Sequence, residues 1–140
     1  MDKGIAFRVR WHDADVAQVQ VSASNGEFGG AVDVYDGIDA LQELANSLKH
    51  FPKSTLDTRE VTLGAFGPGY AGGAVRLRLY CKNGAGHAEV EVQMESDHQE
   101  GRVESAYFVV PIEAAAIDAF VDELYRLNAE KRGTASLRGK

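Results

Sequence analysis

The glycine-rich segment in the middle of the chain is the first candidate for chemistry. Gly67-Pro-Gly-Tyr-Ala-Gly72 matches G-x-G-x-x-G, a spacing that lets a backbone approach a pyrophosphate at the N-terminus of a helix. The residues that follow alternate between apolar and polar, as in a strand, and Pro68 removes one backbone donor. The sequence therefore disfavours nucleotide binding. It favours a loop whose glycines supply turns, with Tyr70 as an exposed aromatic contact.

Two polar stretches contain histidines beside aspartates. His12-Asp13-Ala14-Asp15 offers nitrogen and oxygen ligands, but aspartate is also favoured in turns for its local backbone hydrogen bonds. His98 follows Asp97 in the second stretch, and neither has a second clustered histidine. We expect no metal and no cofactor.

Nucleophilic catalysis would need a serine or cysteine near a histidine and an orienting carboxylate. The single cysteine, Cys81, falls on the apolar side of its strand, and no G-x-S-x-G elbow is present. We interpret Cys81 as a core residue and assign no catalytic residue.

A charged array marks the best-determined hairpin. Apolar residues alternate with Arg76 and Arg78 before the loop 83–86, and with Glu89 and Glu91 after it. A loop of two or four residues keeps apolar opposite apolar, and the four-residue loop pairs Arg78 with Glu91. This array is either a solvated sheet face or a binding surface. The candidate binding surface comprises Tyr70, Arg76, Arg78, His87, Glu89 and Glu91.

The same alternation predicts the other strands. Residues 5–11 and 17–23 each have a strand period, and Trp11 stands in phase with the apolar residues, which predicts its burial. An exposed Trp11 would instead be the first candidate for a recognition hot spot. Asn25-Gly26 predicts a two-residue hairpin turn that places Val19 opposite Val32. Further strands are predicted at 61–65 and 103–110.

Two amphipathic helices complete the prediction. Asp36 is the expected N-cap of a helix over 37–50, which ends at Phe51-Pro52. Pro111 is expected in the first turn of a second helix that ends near Asn128. The order βββαββββα predicts an α+β fold, an antiparallel meander sheet of about seven strands with both helices packed on one face. We expect a single domain over 1–128, a basic flexible tail over 129–140, and no internal repeat.

Charge and composition narrow the function classes. The net charge of −6 argues against nucleic-acid binding, because phosphate backbones are repelled. No apolar run approaches the length of a membrane span or of a secretory signal, so we expect no membrane partner. Together with the single cysteine, these features predict a cytoplasmic protein.

Four short motifs carry a resemblance to known proteins. They are Glu27-Phe28-Gly29-Gly30, Leu48-Lys49-His50-Phe51-Pro52, Gly69-Tyr70-Ala71-Gly72-Gly73 and Gly86-His87. They resemble a diffuse group of small bacterial proteins that is loosely similar to the immunity-type partners of polymorphic toxins, including the WapI-type family. The resemblance implies a bacterial cytoplasmic protein that binds another protein, and it implies no catalytic residue.

The sequence thus favours a non-enzymatic protein-binding module, immunity-like, with a basic partner that suits the acidic body. One alternative is a small-ligand-binding protein or enzyme that uses the glycine-rich loop 64–73. The other is a structural protein that self-associates through sheet edges.

Overall fold

The chain folds in the order βββαββββαβ, and the computed structural model describes residues 2–98 and 101–140. The strands are β1 (Gly4–His12), β2 (Val16–Ser24), β3 (Gly29–Gly37), β4 (Thr58–Gly64), β5 (Ala74–Cys81), β6 (His87–Glu95), β7 (Ser105–Glu113) and β8 (Thr134–Arg138). The helices are α1 (Ala40–Leu48) and α2 (Ala116–Glu130). The predicted α+β class is confirmed, and a strand at the C-terminal end is added to the predicted order.

The strands form two antiparallel four-stranded sheets, ordered β3-β2-β1-β8 and β4-β5-β6-β7. Consecutive strands pair within each hairpin, as predicted. However, α1 separates β3 from β4, and these two strands belong to different sheets. The single seven-stranded sheet is therefore wrong in detail, because alternation identifies a buried face but not the neighbour of a strand across a helix.

The two halves of the chain repeat one arrangement of three strands, a helix and a strand. The fourth strand of each half pairs with the first strand of the other half, β4 with β5 and β8 with β1. The registers correspond as well, since Leu63 lies opposite Val75 and Leu137 lies opposite Ile5. The expectation of no repeat is wrong for the topology, because the halves share apolar positions rather than identical residues.

The C-terminal segment is part of this arrangement. Residues 129 and 130 end α2, and β8 buries Ala135 and Leu137 completely or nearly so. The Nη2 group of Arg126 donates a hydrogen bond to the carbonyl of Thr134 at 2.8 Å, which covers the outer edge of β8. The predicted flexible tail from residue 129 is therefore wrong.

The two central hairpins differ in how well their registers were predicted. In the second sheet Arg78 lies opposite Glu91, as expected for the four-residue loop. In the first sheet Val19 lies opposite Val34 instead of Val32, because the turn spans four residues. The side-chain oxygen of Asn25 accepts hydrogen bonds from the backbone N–H groups of both Glu27 and Phe28, which stabilises the longer turn.

The helix starts also differ from the prediction. Asp36 lies in β3, and its Oδ2 atom accepts a hydrogen bond from the backbone N–H of Gly64 at 2.8 Å; α1 begins at Ala40. Pro111 lies in β7 rather than in a helix. It is tolerated there because β7 is an edge strand, and its carbonyl accepts a hydrogen bond from the backbone N–H of Lys140 at 2.9 Å.

The core lies between the inner faces of the sheets and the helices, which pack against each other. Phe120 of α2 is fully buried and meets Phe7 of β1 with 5.7 Å between ring centroids. Leu48 of α1 and Leu124 of α2 are also fully buried. The polar outer faces of both sheets are consequently left at the surface.

Candidate protein-binding surfaces

The outer face of the second sheet carries the charged array, which we call the Arg/Glu ladder: Arg76, Arg78, Glu89 and Glu91. Nη1 of Arg78 lies 2.7 Å from Oε2 of Glu91. Nε of Arg76 lies 3.2 Å from Oε1 of Glu60 on β4. The sheet brings these predicted residues together because their strands are paired neighbours with side chains on one face.

Tyrosines complete the hydrogen bonding of the ladder. The hydroxyl of Tyr80 donates to Oε1 of Glu89 at 2.9 Å, and burial together with this hydrogen bond raises the pKa of Tyr80 to about 12. The hydroxyl of Tyr107 donates to Glu91. This bond, followed by the bond from Arg78, lowers the pKa of the Glu91 carboxyl and keeps it ionised. Each charged group of the ladder therefore has a partner inside the molecule.

Of the other two predicted residues, His87 lies at the end of the ladder's face, two residues before Glu89, and Tyr70 lies apart from the ladder. His87 begins β6, where its Nδ1 atom lies 3.4 Å from Oε2 of Glu113 and contacts the amine of Lys140. Tyr70 is 59 % exposed in the glycine-rich loop. This loop starts beside the ladder, where Phe66 lies under the guanidinium of Arg76 at 4.7 Å.

The end of the glycine-rich loop contacts the first sheet. The backbone N–H of Gly73 donates to the carbonyl of Asp33 at 2.8 Å. Gly72 has a φ of +78°, and an added Cβ would lie only 2.6 Å from Cδ2 of Tyr35. Strand β5 follows directly, without the helix that a dinucleotide motif requires. Gly72 therefore lets the backbone approach Tyr35 closely.

Trp11 is exposed, contrary to the prediction. A β-bulge at Arg10 inserts one residue into β1, so that Val9 lies opposite Val19 while Trp11 lies opposite Gln18. The extra residue reverses the facing of everything after it, and Trp11 is 49 % exposed. Unbroken alternation up to Trp11 gives no sign of the bulge in the sequence.

Trp11, Gln18 and Tyr35 form one row across β1, β2 and β3, which we call the aromatic corner. Tyr35 is 39 % exposed and Gln18 is half-buried between the two rings. Tyr35 could have been found from the sequence, since it is out of phase with Val32 and Val34. Backbone hydrogen bonds between β1, β2 and β3 hold the three strands in place, so the row is rigid.

A cleft of about 330 Å³ opens beside the aromatic corner. Its lining includes Gln18, Asp33, Tyr35, Gly72 and Asp97. Oδ1 of Asp33 is shielded from solvent and accepts no hydrogen bond from the described residues; Nη1 of Arg10 lies 3.8 Å away. That separation exceeds a hydrogen bond, so the contact between these groups is electrostatic only.

The strand ends at this corner are acidic. Asp13 and Asp15 lie in the β1–β2 turn, and Asp33 lies on the outer face of β3. Two bases accompany them: Arg10 beside Asp33, and Arg8 in the same cross-strand row as Asp33. Oδ1 of Asp13 accepts hydrogen bonds from the backbone N–H groups of Asp15 and Val16 at 2.8 Å each, which lowers its pKa. Asp13 therefore stays ionised and closes the β1–β2 turn. This is the local hydrogen-bonding role that the sequence offered as the alternative to metal binding.

The remaining candidates for chemistry lie elsewhere. Cys81 is half-buried against the core, with its Sγ atom 3.8 Å from the carbonyl of Ser54. Nε2 of His98 lies 3.0 Å from Oε2 of Glu95. Over residues 2–98 and 101–140, no three histidine, cysteine or acidic side chains are grouped so that they could hold a metal ion. In the same ranges, neither helix is long and apolar enough to cross a membrane.

Comparison with known proteins gave no assignment. No family model matches the chain, and no curated protein matches it.

Proposed function

We propose that this chain is a protein-binding module whose contact surface is the aromatic corner. The observation that carries the proposal is the exposure of Trp11 and Tyr35 in one row on three hydrogen-bonded strands. Tryptophan and tyrosine dominate the binding energy of protein interfaces. Because the strands already fix their backbones, little conformational entropy is lost when a partner covers them.

The Arg/Glu ladder remains a predicted binding surface. We favour the aromatic corner over it because the charged groups of the ladder already bond each other. Arg78 and Glu91 already bond each other, and Tyr107 bonds the same carboxylate. A partner would have to break these contacts or leave charges unpaired, which cancels part of what new contacts contribute. Within residues 2–98 and 101–140, no hydrogen bond or ion pair engages the side chain of Trp11 or Tyr35, so a partner that covers these rings breaks no such contact.

We extend the proposal to the class of partner. The chain carries a net charge of −6, and Asp13, Asp15 and Asp33 lie beside the aromatic corner, which suits a basic protein. The resemblance to immunity-type proteins supports a toxin domain as that partner. In cells whose growth is stopped by an adjacent toxin-like gene, co-expression of this chain should then restore growth. Continued killing would count against the immunity assignment.

The proposal is tested by affinity capture from a lysate of the source organism, with tagged wild-type chain and two variants. Trp11→Ala removes the larger ring of the corner. Phe28→Ala is the matched control, an aromatic residue that is 65 % exposed in the β2–β3 turn at the far end of the hairpin. We expect one stoichiometric protein on wild type and on Phe28→Ala. Trp11→Ala should bind it about 30-fold more weakly, since hot-spot truncations cost about 2 kcal/mol or more.

Two results would contradict the proposal. One is a partner that Trp11→Ala and Tyr35→Ala retain at wild-type affinity while both variants keep the wild-type circular dichroism spectrum. The other is a column that retains only a small molecule, which would favour the alternative of a ligand-binding protein.

A further inference from the structure

The cleft beside Tyr35 has the chemistry of a cation site. Its lining includes the aromatic residue Tyr35 and two acidic residues, Asp33 and Asp97, and Gly72 lies against the Tyr35 ring. Carboxylates hydrogen-bond a guanidinium or an ammonium group, and an aromatic face attracts the same cations. An anionic group would be repelled by the carboxylates, and a neutral donor would gain neither the charge assistance nor the attraction to the ring.

Asp33 has acceptor capacity to offer. Its Oδ1 atom accepts no hydrogen bond from the described residues, and Arg10 lies 3.8 Å away, beyond bonding distance. Its side chain is 40 % exposed although Oδ1 itself is shielded, so an incoming cation would approach the carboxylate from its exposed part. A second cation that bonded this carboxylate would satisfy it without displacing an existing hydrogen bond.

We infer that the cleft receives an arginine or lysine side chain of the partner protein, with Asp33 as its ion-pair partner and Tyr35 as its stacking surface. The volume of about 330 Å³ accommodates one long side chain rather than a globular surface. The aspartates of the neighbouring turn, Asp13 and Asp15, add negative charge that draws a basic segment to the corner. The inference rests on the proposed function, because it names the group by which that partner is recognised.

The chain contains its own reporter for this site. Trp11 is the single tryptophan and lies opposite Gln18, which lines the cleft. Two strand spacings, about 10 Å, separate the backbones of Trp11 and Tyr35. Occupation of the cleft should therefore change the emission of Trp11, the chain's single tryptophan.

The experiment titrates the full chain with the peptide acetyl-Gly-Arg-Gly-Arg-Gly-amide and follows tryptophan emission. The glutamine analogue of the peptide is the neutral control, and arginine amide tests a free small molecule. We expect saturable binding of the arginine peptide alone. It should weaken as salt rises from about 50 mM to about 500 mM, because ion pairs at the surface are screened.

Two charge-matched variants distinguish binding at the cleft from nonspecific attraction to the negative net charge. Asp33→Asn should weaken peptide binding about tenfold, which corresponds to about 1.4 kcal/mol. Asp122→Asn removes the same charge from the exposed face of α2 and should bind like wild type. Tyr35→Phe keeps the ring and should also retain affinity, while Tyr35→Ala should lose it.

Three outcomes would overturn the inference: no response to the arginine peptide, equal losses in Asp33→Asn and Asp122→Asn, or arginine amide binding as tightly as the peptide. The last result would make the cleft a small-molecule site. If capture of a protein partner depends on Trp11 but the arginine peptide does not bind, the proposed function stands and this inference fails.

Discussion

Gly72 is the position where the glycine-rich loop supports the aromatic corner, and alanine at this position tests that contact. The φ of Gly72 is +78°, and an added Cβ would lie 2.6 Å from Cδ2 of Tyr35. Left-handed backbone costs a residue with a side chain about 1–2 kcal/mol, and overpacking costs about 1–3 kcal/mol more. We therefore expect Gly72→Ala to lower the free energy of unfolding by about 2–5 kcal/mol.

A double-mutant cycle separates the two costs. In a Tyr35→Ala background the ring is gone, so Gly72→Ala should cost only the backbone strain of about 1–2 kcal/mol. Gly69→Ala is the matched control in the same loop. Its added Cβ meets no atom within 4 Å, and its free energy of unfolding should change by no more than about 0.5 kcal/mol.

Urea denaturation followed by circular dichroism measures all variants, with equal slopes as the sign that the unfolded state is unchanged. Equal losses for Gly72→Ala with and without the Tyr35 ring would refute the reasoning. The loop would then not press on the aromatic corner, and the glycines would have only a conformational role.

Two further predictions concern the core and the ladder. Phe120→Ala should lower the free energy of unfolding by about 3–5 kcal/mol in the same assay, because it leaves a cavity at a fully buried position against Phe7. A loss under about 1 kcal/mol would contradict this packing. The pKa of Tyr80 is raised to about 12, whereas a tyrosine in the unfolded chain has a pKa of about 10. Because the unfolded state releases this proton first, the free energy of unfolding falls as pH rises from about 10 to about 12. Tyr80→Phe should reduce that alkaline loss, and an absorbance titration that places the phenol of Tyr80 near pH 10 would count against its bond to Glu89.

The second sheet could be predicted well because two independent patterns agree there. Apolar alternation fixes the buried face of β5 and β6, and both registers that it allows place arginines opposite glutamates on the outer face. The observed register, with a four-residue loop, pairs Arg78 with Glu91. The same logic failed for the β2–β3 hairpin. Asn25-Gly26 begins a four-residue turn held by the Asn25 side chain, and apolar residues remain opposite each other in either register.

The proposed contact surface was predictable only in part, because its position depends on a bulge and on long-range strand pairing that apolar alternation does not reveal. The bulge at Arg10 turns Trp11 outward although its spacing predicts burial. The strand β8 has only two buried residues, Ala135 and Leu137, and its partner β1 is distant in sequence. Long-range pairing of this kind is set by the whole fold rather than by local propensity.

The central claim is that a partner protein covers the aromatic corner, and backbone amide hydrogen exchange on the captured complex tests it most directly. We expect slower exchange around Trp11 and Tyr35, in the segments 11–18 and 33–36, than in the free chain, with no change in β5 and β6. Protection confined to the Arg/Glu ladder, in segments 76–80 and 87–91, would contradict the claim and move the interface to the second sheet.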